Sequence, residues 1–191
     1  GDPVGRSDHY IRAVVSKVRA EVGKLPASAP VAIHLSGHGL PTTACGDYDC
    51  AADAYHGYAK DLFARARRAI ERSVDRPGRF GVFHIYADGG EGDADPDNEV
   101  DGPNEALAKR KQEGFRYVVD VPYEFESNSR DTLIVLRHAY GRTAPDWNDR
   151  YESHFVRNGV RVKIANSFGG DREKIAALEE TIRKQLRGWI G

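Results

Sequence analysis

The chain has 191 residues, 40% of them hydrophobic, which is enough to bury one sizeable core. Charged residues make up 30% and nearly cancel to a formal net charge of −1, arguing against a general nucleic-acid or anionic-membrane binder, since either needs a basic surplus. No apolar run approaches the ~20 residues that span a bilayer, so no membrane span is expected and the chain is read as soluble and cytoplasmic.

The first predicted element is a helix. Asp8 can cap it, and Ile11, Val14, Val15, Val18 and Val22 recur at helical spacing before Gly23 and Pro26 end it. Val31 to Leu35 is a strand-length apolar run, followed by a loop from Ser36 to Tyr48 rich in Gly, Pro and Thr. A long helix is expected from about Ala51 to Ser73, with Tyr55, Tyr58, Leu62, Ala66, Ala69 and Ile70 roughly on one side. Phe80 to Tyr86 reads as a second strand, an acidic loop follows, and a helix runs from about Asn104 to Glu113. Phe115 to Val121 is a third strand ended by Pro122, and Ser129 to His138 a crossover helix. Val160 to Ala165 is the fourth strand, and Arg172 to Leu186 the last helix, with Ile175, Leu178, Ile182 and Leu186 in register.

Strands alternating with helices predict an α/β domain with a four-stranded parallel sheet, covered on both faces, and an extra helix at the amino end. The whole of 1–191 reads as one domain. Methionine is absent throughout, so Gly1 marks a processed chain, a tag remnant or an excised domain, the last making this the C-terminal part of a longer protein. In parallel sheets the working residues sit where loops leave the carboxyl ends of the strands. That rule selects the loops Ser36–Tyr48, Asp88–Pro103, Pro122–Ser129 and Asn166–Asp171.

In the first of these loops His38 lies between Gly37 and Gly39 at the end of a strand. A neutral imidazole there is a ligand for Fe, Co, Ni or Zn, or a proton acceptor, or it simply bonds the loop backbone. Asp131 falls in the first turn of the third crossover helix, where the helix dipole favours a carboxylate and Asn128 or Ser129 can cap. It could also face His38 across the sheet's carboxyl edge. Cys45 and Cys50 are too few for a disulfide framework and fit free thiols, one local bridge or metal ligands. The alternate carboxylates Asp93, Asp95, Asp97 and Glu99 fit a solvated loop, a partial calcium loop or a collector of divalent metal. Trp147 and Tyr151 could stack on a planar ligand or cover the edge of the core.

Ser36-Gly37-His38-Gly39-Leu40-Pro41 resembles the ferrochelatase motif of small residues, histidine, a small residue and Leu-Pro. Gly46-Asp47-Tyr48 resembles the Gly-Asp-Pro-Tyr that follows it in that family. Pro122, Phe125, Ser127, Asp131, Thr132 and Leu133 resemble its Pro-x-x-Phe-x-Ser-x-x-x-Glu-Thr-Leu element, and the similarity runs in order from about Val31 to Leu186. The resemblance implies a three-layer, flavodoxin-like class II chelatase domain, similar to the C-terminal half of a ferrochelatase, in heme or related tetrapyrrole biosynthesis. It implies insertion of a divalent metal, Fe²⁺ first, into a tetrapyrrole; metal and macrocycle are the substrates, and no organic cofactor is expected. His38 would be metal ligand or proton acceptor and Asp131 the assisting carboxylate and second metal contact. Ser36, Gly39, Leu40, Pro41, Asp47, Tyr48, Phe125, Ser127 and Asn128 would shape the macrocycle cleft.

Three departures from the family stand out. Asp131 is one methylene shorter than the family's glutamate, about 1.5 Å less reach. Val135 and Ala139 occupy positions that often carry acidic residues on the same helix face. The Gly-Pro-x-x-Trp-Leu stretch after the second strand is replaced by the acidic loop. A second reading follows from these: a chelatase-like domain that binds tetrapyrrole or metal without turnover, or serves as the partner half of a two-domain assembly or homodimer.

Overall fold

The computed structural model describes residues 4–38, 52–87, 101–124, 136, 140, 154–168 and 171–190, without the side chains of 52–56 and 188–190. A short 3₁₀ turn, Val4–Arg6, leads into helix α1, Asp8–Val22. Strand β1 is Val31–Gly37, helix α2 Ala52–Ser73, strand β2 Phe80–Tyr86, helix α3 Pro103–Gln112 and strand β3 Tyr117–Val121. Strands β4, His154–Arg157, and β5, Val160–Ile164, precede helix α4, Arg172–Ile190. The expected crossover helix 129–138 lies outside the described residues except for Leu136.

The sheet has five strands in the order β2-β1-β3-β5-β4, one more than the sequence reading allowed. β1 pairs in parallel with both β2 and β3, and β3 in parallel with β5; β4 pairs with β5 antiparallel. The extra strand forms a hairpin with β5 across Asn158 and Gly159, both at positive φ (52° and 81°). Positive φ at both central residues is what a tight primed turn requires, and Asn-Gly supplies it at least steric cost.

Every residue of β1 is buried, as a central strand covered on both faces must be. Val31, Ile33 and Leu35 point to one face, where they join Val14, Val18, Leu62, Ile70, Val119 and Ala177, contributed by α1, α2, β3 and α4. Ala32 points to the other, with Val118, Val160 and Val162 from the sheet, Ala106 and Leu107 from α3, and Leu136 and Tyr140. The two-residue alternation of the strands thus divides the core into two layers, with helices on both faces of the sheet.

Helix α1 is capped by Ser7 rather than Asp8; its hydroxyl accepts the His9 N–H at 3.2 Å. The same hydroxyl donates to Glu180 of α4 at 2.6 Å, and Glu173 of α4 meets His9 at 2.8 Å and Arg12 at 3.2 Å. Helix α4 is therefore fastened to α1 through polar groups, with Ala177 and Lys174 as its buried residues. Three of its large side chains turn away from the core: Ile175, Ile182 and Leu186 are each more than half exposed.

Candidate functional site

The chain order reverses at β1: β2 lies on one side and β3 on the other. In an open parallel sheet this creates a crevice beyond the carboxyl ends of the two strands that diverge, here β1 and β3. His38 follows the last residue of β1 and is exposed. Tyr123 and Glu124 follow β3 across Pro122.

Glu124 reaches from the end of β3 to the end of β1. Its Oε2 accepts the His38 backbone N–H at 3.0 Å. The carboxylate lies against Gly37 so closely that a Cβ there would stand 2.5 Å from Oε2 and 2.8 Å from Oε1. Real Cβ atoms do not make such contacts, so any side chain at 37 would push the Glu124 carboxylate out of this position. The glycine before His38 makes room for a carboxylate of this chain, whereas its spacing alone suggested room for an incoming ligand. Behind Glu124, the phenol of Tyr58 on α2 is pushed above its usual pKa, first by burial and then by the Glu124 charge. Tyr123 is fully buried; its hydroxyl stands 3.2 Å from His84 Nε2 and its carbonyl accepts the Tyr10 hydroxyl. Phe63 stacks on His84 with ring centroids 4.9 Å apart, completing an aromatic support under the crevice.

On the opposite face of the sheet, a second set of polar groups is buried between the same strands. Ser36 donates to Asp120 Oδ1 at 2.6 Å, Tyr140 donates to Asp120 Oδ2 at 2.6 Å, and His34 Nδ1 lies 2.8 Å from the Tyr140 oxygen. His34, Ser36, Asp120 and Tyr140 are all fully buried. With Asp120 ionised, Tyr140 spends its only proton on the carboxylate, so His34 must donate from Nδ1. In that protonation state His34 carries the Nδ1–H tautomer; its Nε2 is a buried atom without a hydrogen-bond partner. Burial raises the Asp120 pKa from 3.8 to about 7, against the pull of its bonds to Ser36 and Tyr140. Burial, reinforced by the charge of Arg110, lowers His34 from 6.5 to about 3. Tyr140 is pushed well above its usual value, by burial and then by Asp120.

Of the residues selected from sequence, His38 stands exposed at the crevice, and Ser36 is buried beneath it with its hydroxyl committed to Asp120. Asp131, Gly39, Leu40, Pro41, Asp47, Tyr48, Phe125, Ser127 and Asn128 lie outside the described residues, as do Cys45, Cys50, Val135, Ala139, Trp147, Tyr151 and residues 88–100. No group of three or more His, Cys, Asp or Glu side chains that could hold a metal occurs among the described residues. The sequence reading missed Glu124, Asp120 and Tyr140. For Asp120 the available signal was a charged residue inside the apolar run Val118 to Val121; Glu124, three positions past the strand end, carried none.

A separate groove of about 440 Å³, lined by Lys24, Leu25, Tyr117, Val156, Arg161 and Lys163 among others, opens by the edge strands. It lies toward the amino-terminal ends of β3 and β5, away from His38, and the strand-end rule assigns it no chemistry. Among the described residues, no helix is long and apolar enough to cross a membrane. No protein-family model matches the chain, and no curated protein matches it.

Proposed function

We propose that this chain is a flavodoxin-like, class II chelatase-like domain that inserts a divalent metal, Fe²⁺ first, into a tetrapyrrole. The observation that carries the reading is the exposed His38 at the carboxyl end of β1, on the switch-point crevice, with its backbone held by Glu124. The strand order 2-1-3 at the centre of the sheet, and the His-Gly-Leu-Pro sequence that resembles the ferrochelatase motif, point the same way.

The chemistry is a two-proton exchange. A divalent ion enters the macrocycle and two pyrrole N–H protons leave, which asks for a metal ligand and a proton acceptor on one side of a planar substrate. His38 supplies an imidazole that can serve either role near neutral pH. Glu124 acts on it through the backbone, since a carboxylate bonded to the residue's own N–H fixes the point from which the ring projects. Asp131 is the assisting carboxylate in this reading. The alternative is a domain that binds the macrocycle or metal without turnover, consistent with the shorter Asp131 and the apolar Val135 and Ala139.

The test is anaerobic incubation with protoporphyrin, coproporphyrin or sirohydrochlorin and Fe²⁺ or Co²⁺, followed in the visible spectrum, with His38→Ala alongside. Metalation above the uncatalysed rate that disappears in the variant supports the enzyme and identifies its macrocycle. A spectral shift without metalation supports the binding domain. No response to any pair rejects both.

A further inference from the structure

An amphipathic helix on a protein surface ordinarily turns its large apolar residues to the core and its charges to water. Helix α4 does the reverse. Its inward side is Lys174 and Ala177, with Glu173 and Glu180 bonded to the start of α1, while Ile175, Ile182 and Leu186 are 53%, 54% and 53% exposed. At 100° per residue these three fall within about 40° of one another on the helix surface and form a stripe about 16 Å long. Leu178, half-buried, borders it. Three of the four exposed large hydrophobic residues among the described ones lie on this stripe. An aligned set of this kind marks a contact surface more than scattered exposure does.

The charges beside the stripe specify what covers it. The first half of α4 carries Arg172, Glu173, Lys174, Glu179 and Glu180, and the second half only the basic Arg183, Lys184 and Arg187. Glu179 and Arg183 both flank Ile182 on one side, pair with each other along the helix at 2.6 Å, and are well exposed, at 59% and 66%, so they are open to exchange partners with a second copy. The opposite flank is neutral, with Thr181 and Gln185. In an antiparallel pair of identical helices the same flank of each copy meets the other, reversed in direction. With Ile175 set against Leu186 of the second copy, Glu179 of each copy then faces Arg183 of the other. A parallel pair would instead set this charged flank against the neutral flank of Thr181 and Gln185, with no such pairing, and would bring the basic second halves together.

We propose that α4 is a self-association surface, on which a second copy of this chain packs antiparallel through Ile175, Ile182 and Leu186, with reciprocal Glu179–Arg183 pairs. The inference is independent of the chelatase reading. The stripe alone is smaller than a standard stable interface, so a dissociation constant on the order of 10 µM is expected.

Sedimentation equilibrium of the full chain from about 1 to about 300 µM tests it. A monomer–dimer equilibrium is expected, with Ile182→Glu raising the dissociation constant at least about tenfold and leaving the far-ultraviolet circular dichroism unchanged. Glu179→Arg should weaken the dimer and Glu179→Arg with Arg183→Glu restore it. In a Cys45→Ser, Cys50→Ser background, oxidising a mixture of Ile175→Cys and Leu186→Cys chains should give the mixed disulfide in preference to either self-linked species. A monomer at all concentrations, a dimer indifferent to Ile182→Glu, or preferential self-linking of Ile175→Cys would overturn the proposal.

Discussion

The Glu124 carboxylate occupies the space that a side chain on Gly37 would need, so the end of β3 is locked to the end of β1 by a residue with no side chain. Gly37→Ala must therefore displace Glu124 or shift the strand end. We expect a loss in urea unfolding below the ~1–3 kcal/mol typical of overpacking a rigid core, because the crowded atoms are the mobile end of the Glu124 side chain. Any metalation activity should fall together with stability, because the His38 N–H loses its acceptor. Glu124→Gln retains an amide oxygen to accept that N–H and should be milder than Glu124→Ala in both readouts. Equal effects of Gln and Ala would show that the backbone bond does not position His38.

Tyr140→Phe removes the hydroxyl that links His34 to Asp120 without changing the ring. Two buried groups, His34 Nδ1 and Asp120 Oδ2, then lose their partner. The expected destabilisation is about 2–4 kcal/mol, since each orphaned buried group costs ~1–3 kcal/mol. Ser36→Ala breaks only one bond to Asp120 and should cost less. Denaturant titration of the two variants at one pH compares them directly, and a cost for Tyr140→Phe below that of Ser36→Ala would contradict the linkage.

The elements that periodicity defines were legible in the sequence. The apolar run Val31 to Leu35 emerged as the fully buried central strand, and helices α1, α2 and α3 lie within one or two residues of their expected bounds. Strand β4 was not legible by that signal, because an edge strand of four residues, mostly exposed, has no apolar run. Its turn was visible in Asn158-Gly159, which lies between short alternating segments. For α4 the register of Ile175, Ile182 and Leu186 showed that a stripe exists, but a stripe does not say what it faces. His38 could be picked out as a strand-end histidine, whereas Glu124 could not. Its role depends on the β1–β3 pairing and on the contact with Gly37, neither of which is a local property.

The β4–β5 hairpin should depend on its turn more than on its side chains. Gly159→Ala places a Cβ at φ 81°, where L-residues are strained, although nothing crowds the position in space. A cost of about 1–2 kcal/mol is expected from the backbone alone. Asn158→Gly should be nearly neutral, since glycine tolerates φ 52°. Hydrogen exchange at the β4 amides would report the change locally. A Gly159→Ala protein with unaltered protection there would show that the hairpin is held by its packing on β5.

His34 and Asp120 impose opposite pH dependences on folding. Burial holds the folded His34 pKa down at about 3 against 6.5 in the unfolded chain, so its contribution is present above 6.5 and is lost as pH falls toward 3. Asp120 is raised to about 7 from 3.8, so its contribution is present below 3.8 and is lost as pH rises through 7. Each slope is about 1.4 kcal/mol per pH unit where one proton is exchanged, and between about pH 4 and 6.5 the two cancel. Removing either residue should expose the other. Relative to the unsubstituted protein, Asp120→Asn should gain stability as pH rises from about 4 to 6.5, by a few kcal/mol across the window. His34→Gln should lose stability over the same range. Exposed carboxylates such as Glu173 and Glu180 add a common background to all three proteins, so differences between them isolate the pair. Urea melts at half-unit pH steps would measure this. Parallel curves for the three proteins would mean that neither buried group changes its protonation on unfolding.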